Sequence, residues 1–253
     1  MKKVLFVLIA MFHTLLIGQG EGGVFTSQRL ASLRTGEGSL GNNPAALNWF
    51  QDVRNKTAKL GAEKTLSLED IKGTVYLDKN FKRGTIYYRY SPYGEYQLRY
   101  DAFNDEIELK RGAGTAIEAL HKNEAISCRI EQEEFNYLSF KSLSNKVEKG
   151  YLIPLFEGDR YTLYIRKVKI FKEGKPAKTS LQNSFPPRFL DEQTYFVSVG
   201  NEIPFQIKIS KKEVVKLVGA NHKEALKGFL KRGGISLKDL DGLIQTFVYM
   251  DQL

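Results

Sequence analysis

The pattern that most constrains this fold is an alternation of apolar and polar residues that begins at Gly73. Val75 and Leu77 alternate with Thr74 and Tyr76, and the following segments keep the same period of two. Tight turns separate the segments, which span 73–77, 84–90, 96–102 and 106–110, with turns at 78–80, 91–94 and 104–105. Short alternating strands joined by tight turns are typical of an antiparallel meander with one buried and one solvated face.

Further strand patterns follow the meander and bring the predicted total to about nine or ten. They cover 125–130, 135–140, 151–156, 161–171, 195–199 and 205–209. Within the segment 161–171, Tyr161 and Ile165 are out of phase with Val168, which predicts a β-bulge near Arg166-Lys167. The proline-containing stretch 173–190 predicts a long loop.

From residue 210 onward the apolar period changes from two to 3.6, which indicates helices. Three cap residues are each followed by an acid three positions later, at Ser210/Glu213, Asn221/Glu224 and Ser236/Asp239. The third apolar stripe contains Leu240, Leu243, Ile244, Phe247 and Val248. Such short helices are not stable alone, so they should pack on the sheet or on a partner. The predicted fold class is therefore mainly β with α. Its antiparallel meander forms a curved sheet or half-barrel, or alternatively a sandwich, with C-terminal helices.

The first twenty residues predict a secretory signal peptide. Met1-Lys2-Lys3 is basic, residues 4–17 carry no charge, and Gly18-Gln19-Gly20 supplies small residues for cleavage. A membrane anchor would need about 20 apolar residues, and this run is shorter. The predicted organisation is a signal peptide at 1–20, a poorly defined segment at 21–70, a β domain at 71–209 and a helical segment at 210–253. Within 21–70, Asn43 as a cap and Pro44 in the first turn indicate one short helix.

Composition and compartment exclude several classes of chemistry. Cys128 is the single cysteine, which excludes an internal disulfide and a cysteine-based zinc site. Export would remove Lys2 and Lys3, lower the net charge from +9 to +7, and place the chain where ATP and NAD are absent. A GxGxxG pattern does not follow a predicted strand, so we interpret it as a loop, at Gly36, Gly38 and Gly41. No cofactor is expected.

Histidine and cysteine give weak signals. His121 and His222 are isolated, whereas a zinc site needs three or four ligands at short spacing. They are interpreted as surface residues. Cys128 is in phase with Ile126 and Ile130, which predicts a buried thiol rather than a nucleophile.

Four carboxylates cluster between residues 101 and 108, namely Asp101, Asp105, Glu106 and Glu108. A glycosidase needs two carboxylates about 5 to 10 Å apart in a cleft. Arg99 and Lys110 share the polar phase, so cross-strand ion pairs on a solvated face are the favoured interpretation. Convergence of these carboxylates with His121 would instead indicate a hydrolase.

Two surface features are candidates for binding. The C-terminal helices are basic and predict a patch that contacts anions such as lipid phosphates, at Lys212, Lys216, Lys223, Lys227, Lys231 and Arg232. Lysines at helix ends also complement the helix dipole, which is the simpler interpretation. Tyr76 and Tyr87 suggest an aromatic outer face that serves a ligand or a partner.

Two stretches of the chain resemble a recurrent pattern in uncharacterised secreted proteins of Bacteroidota. They are GTVYLDKNFKRGTIYY at 73–88 and YQLRYDAFNDEIELK at 96–110, and the DLDGLIQ run at 239–245 is similar too. The resemblance implies an envelope or secreted location, and it carries no activity or site residues.

The sequence favours a non-enzymatic exported protein that binds an envelope partner or ligand through its sheet. Its expected location is the periplasm, the periphery of the outer membrane or the extracellular space, with peripheral membrane contact and no nucleic acid. One alternative is a periplasmic carrier of lipid or acyl chains, because a half-barrel closed by helices would enclose an apolar cavity. The second alternative is a hydrolase acting on an envelope polymer.

Overall fold

A computed structural model describes residues 71–112, 114–174 and 185–253, together with the backbone of Thr26–Ser27. The predicted signal peptide, the glycine pattern at 36–41 and the helix expected after Asn43-Pro44 lie outside these residues. The described strands are β1 Thr26–Ser27, β2 Lys82–Tyr88, β3 Ser91–Asp101, β4 Glu106–Lys110, β5 Glu118–Leu120, β6 Ile126–Ile130, β7 Glu133–Lys141, β8 Val147–Glu157, β9 Tyr161–Lys172, β10 Arg188–Val199 and β11 Phe205–Ile207.

All eleven strands of the described residues belong to one sheet, in the order β1-β5-β4-β3-β2-β6-β7-β11-β10-β9-β8. β7 also pairs with β8, so the pairings β7-β8-β9-β10-β11 return to β7. Each strand from β7 to β11 is antiparallel to the one before it, so β11 runs in the same direction as β7. The bridge that closes the ring, Phe205↔Lys141, is accordingly parallel. The predicted curved antiparallel sheet with C-terminal helices is confirmed, and its curvature is strong enough to close five strands into a ring.

Buried side chains form separate clusters on the two faces of this sheet. The largest cluster lies inside the curve of β2–β9 and includes Ile86, Leu98, Cys128, Phe135 and Ile165. A second cluster lies inside the ring of strands, formed by Phe140, Leu152 and Phe196, with Tyr164 packed against it. Consequently β9 is covered on both faces, because Tyr164 contacts the ring interior while Leu163 and Ile165 face the other side.

Three α-helices follow the strands in the described chain: α1 Lys211–Leu217, α2 Lys223–Arg232 and α3 Leu240–Asp251. Val214, Leu226, Leu243 and Phe247 pack with Leu163 in a further cluster, so the helices cover one end of the sheet as predicted. The Asp251 carboxylate accepts hydrogen bonds from the backbone amides of residues 159–161 at 2.8–3.0 Å. These bonds fix the end of α3 to the turn between β8 and β9.

Only the first of the three predicted helix caps is confirmed. The Ser210 hydroxyl accepts a bond from the Glu213 amide at 3.2 Å. The third helix is capped by Asp239, which accepts from Gly242 at 2.7 Å, so its cap lies three residues after the predicted Ser236. Asn221 falls within a 3-10 turn at 220–222 that precedes α2, and that helix has no side-chain cap.

Several predicted strand details are wrong. Residues 73–77 form one isolated bridge, Tyr76↔Asp101, instead of a strand. The hairpin between β2 and β3 turns at Arg89 and Tyr90, whose φ angles are 49° and 67°, instead of at 91–94. Both angles are positive, as in the two-residue turns that match the twist of a hairpin.

β9 contains no bulge at Arg166-Lys167, because its register with β10 is continuous. The irregularity lies in β8 between Pro154 and Phe156, and the mixed phase of β9 reflects its burial on both faces. The loop predicted at 173–190 ends earlier, since β10 begins at Arg188, and the short strand β5 was not predicted.

Candidate functional site

The rings of Tyr76 and Phe81 pack on one half of the outer face of β3 and β4, and we call their segment, residues 75–81, the cover. Its backbone pairs beside the end of β3, where the Leu77 amide donates to the Tyr100 carbonyl at 3.1 Å and the Phe103 amide donates to the Val75 carbonyl at 3.2 Å. This cover buries the side chains of Asp101 and Glu108 completely. The solvated face expected from the sequence is therefore wrong for this half, because the preceding segment of the chain folds over it. Tyr76, which the sequence assigned to an aromatic outer face, is instead buried in the cover.

Arg99 makes a buried ion pair beneath the cover. Its Nε and Nη2 donate to Glu108 Oε2 at 2.9 and 2.7 Å. The guanidinium lies between two rings, 3.6 Å from the centroid of Tyr76 and 4.2 Å from that of Phe81. Its remaining donors bind the Tyr76 hydroxyl oxygen and the Lys79 carbonyl. The predicted cross-strand ion pair is thus present, but it is a structural link between the cover and the sheet.

Asp101 is held in a turn beside this ion pair. Its carboxylate accepts from the amides of Phe103 and Asn104 at 3.1 and 3.0 Å, and from the Asn104 side chain at 2.8 Å. Burial raises the pKa of Asp101 to about 6, against the lowering effect of the Asn104 donors, and the charges of Glu108 and Glu106 raise it further.

Asp105 serves a different structural role. It accepts from the Tyr100 hydroxyl at 2.5 Å, the Tyr151 amide at 3.3 Å and Arg166 Nη2 at 3.2 Å. It therefore ties the β3–β4 turn to β8 and β9. Glu106 lies 3.9 Å from Lys122, and His121 is exposed. The carboxylates singled out in the sequence are thus divided among separate networks, and the geometry offers no pair of them to a substrate in a cleft.

The uncovered half of the same sheet face forms an open groove of about 600 Å³, which we call the outer groove. It is lined by Phe81, Arg83, Glu95, Tyr96, Gln97, Lys110, Arg111 and Gly112. The register pairs Arg83 with Gln97 and Gln97 with Lys110, so these side chains form one row across β2, β3 and β4. The sequence placed Lys110 on the polar phase, but the row depends on strand register, which the alternation alone does not specify.

Cations in the outer groove are held in different ways. Arg83 is paired with Glu95, and Arg111 Nε donates to Glu118 at 3.1 Å. The Lys110 ammonium lies 4.5 Å from the centroid of Phe81 and, among the described residues, has no carboxylate within 4.0 Å. Because the Phe81 ring also contacts Arg99, the buried ion pair and the groove share one aromatic ring. The groove therefore presents an ammonium oriented by an aromatic ring, with two guanidiniums elsewhere in its lining.

A second pocket opens at the end of the main core and has a volume of about 250 Å³. Its apolar wall comprises Leu77, Tyr100, Ile130 and Phe135, and its rim carries Asp78, Asn80, Lys82, Arg99, Glu131, Gln132 and Glu133. Lys82 spans the rim, 3.4 Å from Asp78 and 3.0 Å from Glu131. We call this cavity the mouth pocket.

Cys128 and His222 line neither the outer groove nor the mouth pocket. Cys128 is fully buried, and burial raises the pKa of its thiol. His222 is half-buried at the start of α2. Within residues 71–112, 114–174 and 185–253, no cluster of three or more potential ligands could hold a metal ion.

The basic patch predicted on the helices lies mostly at the surface. Lys212, Lys216, Lys227, Lys231 and Arg232 are exposed, and Lys223 is half-buried. Lys216 pairs with Glu213 at 2.8 Å, and Lys227 pairs with Glu224 at 2.6 Å. Such exposed pairs are worth little energetically, so both ammonium groups stay accessible to a ligand.

Comparisons with protein families, with curated proteins and with solved structures find no match to this chain. None of the helices among the described residues combines the length and the apolar character that crossing a membrane requires.

Proposed function

We propose that this is a non-enzymatic binding protein that holds an extended anionic ligand, an acidic oligosaccharide, in the outer groove of its sheet. The observation that carries the proposal is the Lys110 ammonium, oriented by the Phe81 ring and lying in one row with Gln97 and Arg83. An open groove suits an extended ligand better than a compact molecule, because compact ligands are usually enclosed in a pocket.

The chemistry of the row supports this class of ligand. Lys110 supplies a positive charge for a carboxylate or phosphate, and the Gln97 amide both donates to and accepts from hydroxyl groups. Arg83 and Arg111 contribute further donors in a planar fork, the geometry that binds carboxylates and phosphates with two bonds. The Arg83–Glu95 pair is exposed, so a ligand can displace Glu95 from Arg83 at small cost.

Substitution of Lys110 tests the proposal directly. Lys110→Gln is expected to weaken binding of oligogalacturonate, a carboxylated oligosaccharide, by about tenfold or more, since a hydrogen bond to a charged group is worth about 1.5–3 kcal/mol. The measurement is titration calorimetry of the wild type and the variant. Neutral maltohexaose serves as the uncharged ligand.

Lys172→Gln is the matched control, because Lys172 is an exposed lysine that does not line the outer groove. It should bind oligogalacturonate as the wild type does. Equal weakening by the two substitutions would show that the attraction is a diffuse effect of net charge, and the groove would no longer be supported as the site.

A second candidate function rests on the mouth pocket. Its apolar wall matches the carrier alternative, although about 250 Å³ accommodates a single ring or the end of an acyl chain, less than the usual ligand pocket of about 300–1,000 Å³. Native mass spectrometry of the protein purified from its own cells should show an added lipid mass that denaturation removes if the protein is a carrier. A bare monomer mass would contradict that function.

The proposed function includes export of the protein from the cytoplasm. The basic start and uncharged run of residues 1–20 support secretion, and an acidic oligosaccharide is a ligand found on cell envelopes and in the extracellular space. The hydrolase alternative receives no comparable support, because the described carboxylates near β3 and β4 are engaged in separate networks.

A further inference from the structure

The helix α3 has apolar side chains on two sides. Leu243, Phe247 and Met250 are buried against the sheet and the other helices. Leu240 and Val248 are instead 44% and 38% exposed, and Ile244 between them is half-buried. The spacing of four residues places these three along one side of the helix. They form an outward apolar stripe that packing within the described residues does not explain.

Positive charge lies beside this stripe. Residues 208–241 contain nine lysines and arginines against four acids, so this short region carries +5 of the chain's net +9. On α2, Lys227, Lys231 and Arg232 are exposed, whereas Leu226 and Leu230 are buried. The Phe229 and Tyr249 rings stack at 4.0 Å and join α2 to α3, so these charges belong to the same helical unit as the stripe.

We propose that the outward face of α2 and α3 docks on an anionic lipid surface. Interfacial helices bury an apolar side in the boundary between headgroups and acyl chains while lysines and arginines contact the phosphates. Leu240, Ile244 and Val248 supply the apolar side. Lys227, Lys231 and Arg232 supply the charge, while Glu224, Asp239 and Asp241 on the same surface reduce it without reversing its sign.

This inference is independent of the outer groove. The groove lies on the outer face of β2–β4, whereas α3 packs on β8 and β9, so one surface can fail its test while the other passes. Bound in this way, the protein would be a peripheral membrane protein that keeps its sheet free for a ligand.

Sedimentation with lipid vesicles tests the docking surface. The full protein should bind vesicles of phosphatidylcholine with one third phosphatidylglycerol, and should not bind vesicles of phosphatidylcholine alone. Lys227→Gln/Lys231→Gln should lower the affinity about thirtyfold, since each lysine near an anionic surface contributes about fivefold. Leu240→Ser/Val248→Ser should lower it about tenfold, because two partly exposed side chains lose their insertion into the interface.

Lys79→Gln/Lys172→Gln is the control for charge, since both lysines are exposed on the strand-bearing part of the molecule. Circular dichroism verifies that each variant keeps its helices. Equal binding to both vesicle types, or equal loss in the control and in the helix variant, would overturn the proposal. Release from vesicles by inorganic phosphate, but not by chloride of equal ionic strength, would also overturn it and assign the lysines to a free phosphate.

Discussion

Arg99→Leu is expected to lower the free energy of unfolding by about 3–5 kcal/mol, the usual cost of removing one partner of a buried ion pair. Glu108 is completely buried and would lose the guanidinium that binds its Oε2 atom twice. The rings of Tyr76 and Phe81 would lose the cation between them, which loosens the cover formed by residues 75–81. Urea unfolding followed by circular dichroism measures the change.

Arg83→Leu is the matched control, because Arg83 also pairs with a glutamate across neighbouring strands but is 76% exposed in its side chain. Its expected cost is about 0–1 kcal/mol. The double variant Arg99→Leu/Glu108→Leu should recover much of the lost stability, since an apolar pair of similar volume often replaces a buried ion pair without loss. If Arg99→Leu costs no more than Arg83→Leu, the cover is not anchored by this pair.

The buried Asp101 should make the fold less stable as the pH rises from about 4 to about 6. Burial raises the pKa of this carboxyl from 3.8 to about 6 in the folded state. Between those values the folded protein binds more protons than the unfolded chain, so stability falls with increasing pH. The interval corresponds to about 3 kcal/mol at 1.36 kcal/mol for each unit. Below pH 4 and above pH 6 this group contributes no further change.

Comparison with Asp101→Asn isolates this effect from other titrating groups. The asparagine oxygen can still accept from the amides of Phe103 and Asn104, so the turn should be retained. The stability of the wild type relative to the variant is expected to decrease by about 3 kcal/mol between pH 4 and pH 7. Urea unfolding of both proteins at several pH values measures the difference. A difference that stays constant with pH would mean that Asp101 titrates normally.

Local sequence patterns predicted the strands well where burial alternates regularly. Ile86 and Leu98 are in phase with their neighbours, and both are buried in the main core as the meander requires. The hairpin turn was misplaced because Arg89 and Tyr90 adopt positive φ angles without glycine or asparagine, the residues that usually signal this turn. Ser91-Pro92-Tyr93-Gly94 carried the usual turn residues instead, yet it begins β3.

The candidate sites were harder to predict because they depend on contacts between distant segments. The phase of Asp101 and Glu108 was correct, but their burial depends on side chains of residues 75–81 that pack on this face of β3 and β4. The alternation of apolar and polar residues along a strand does not indicate which other segment of the chain will cover its polar face. In the same way, the apolar residues of α3 were expected to pack on the sheet or on a partner, and their spacing alone does not specify which of them are buried.

The burial of β9 on both faces has a consequence for how the protein opens. Leu163 belongs to the cluster formed with the helices, and Ile165 belongs to the largest cluster. Tyr164, between them, packs against the cluster inside the ring of strands. Loss of any one cluster uncovers a strand on which the others depend. The sheet and its helices should therefore unfold as one cooperative unit, with local opening confined to the periphery. A ligand held in the outer groove and a membrane bound at α3 would then stabilise the same folded state.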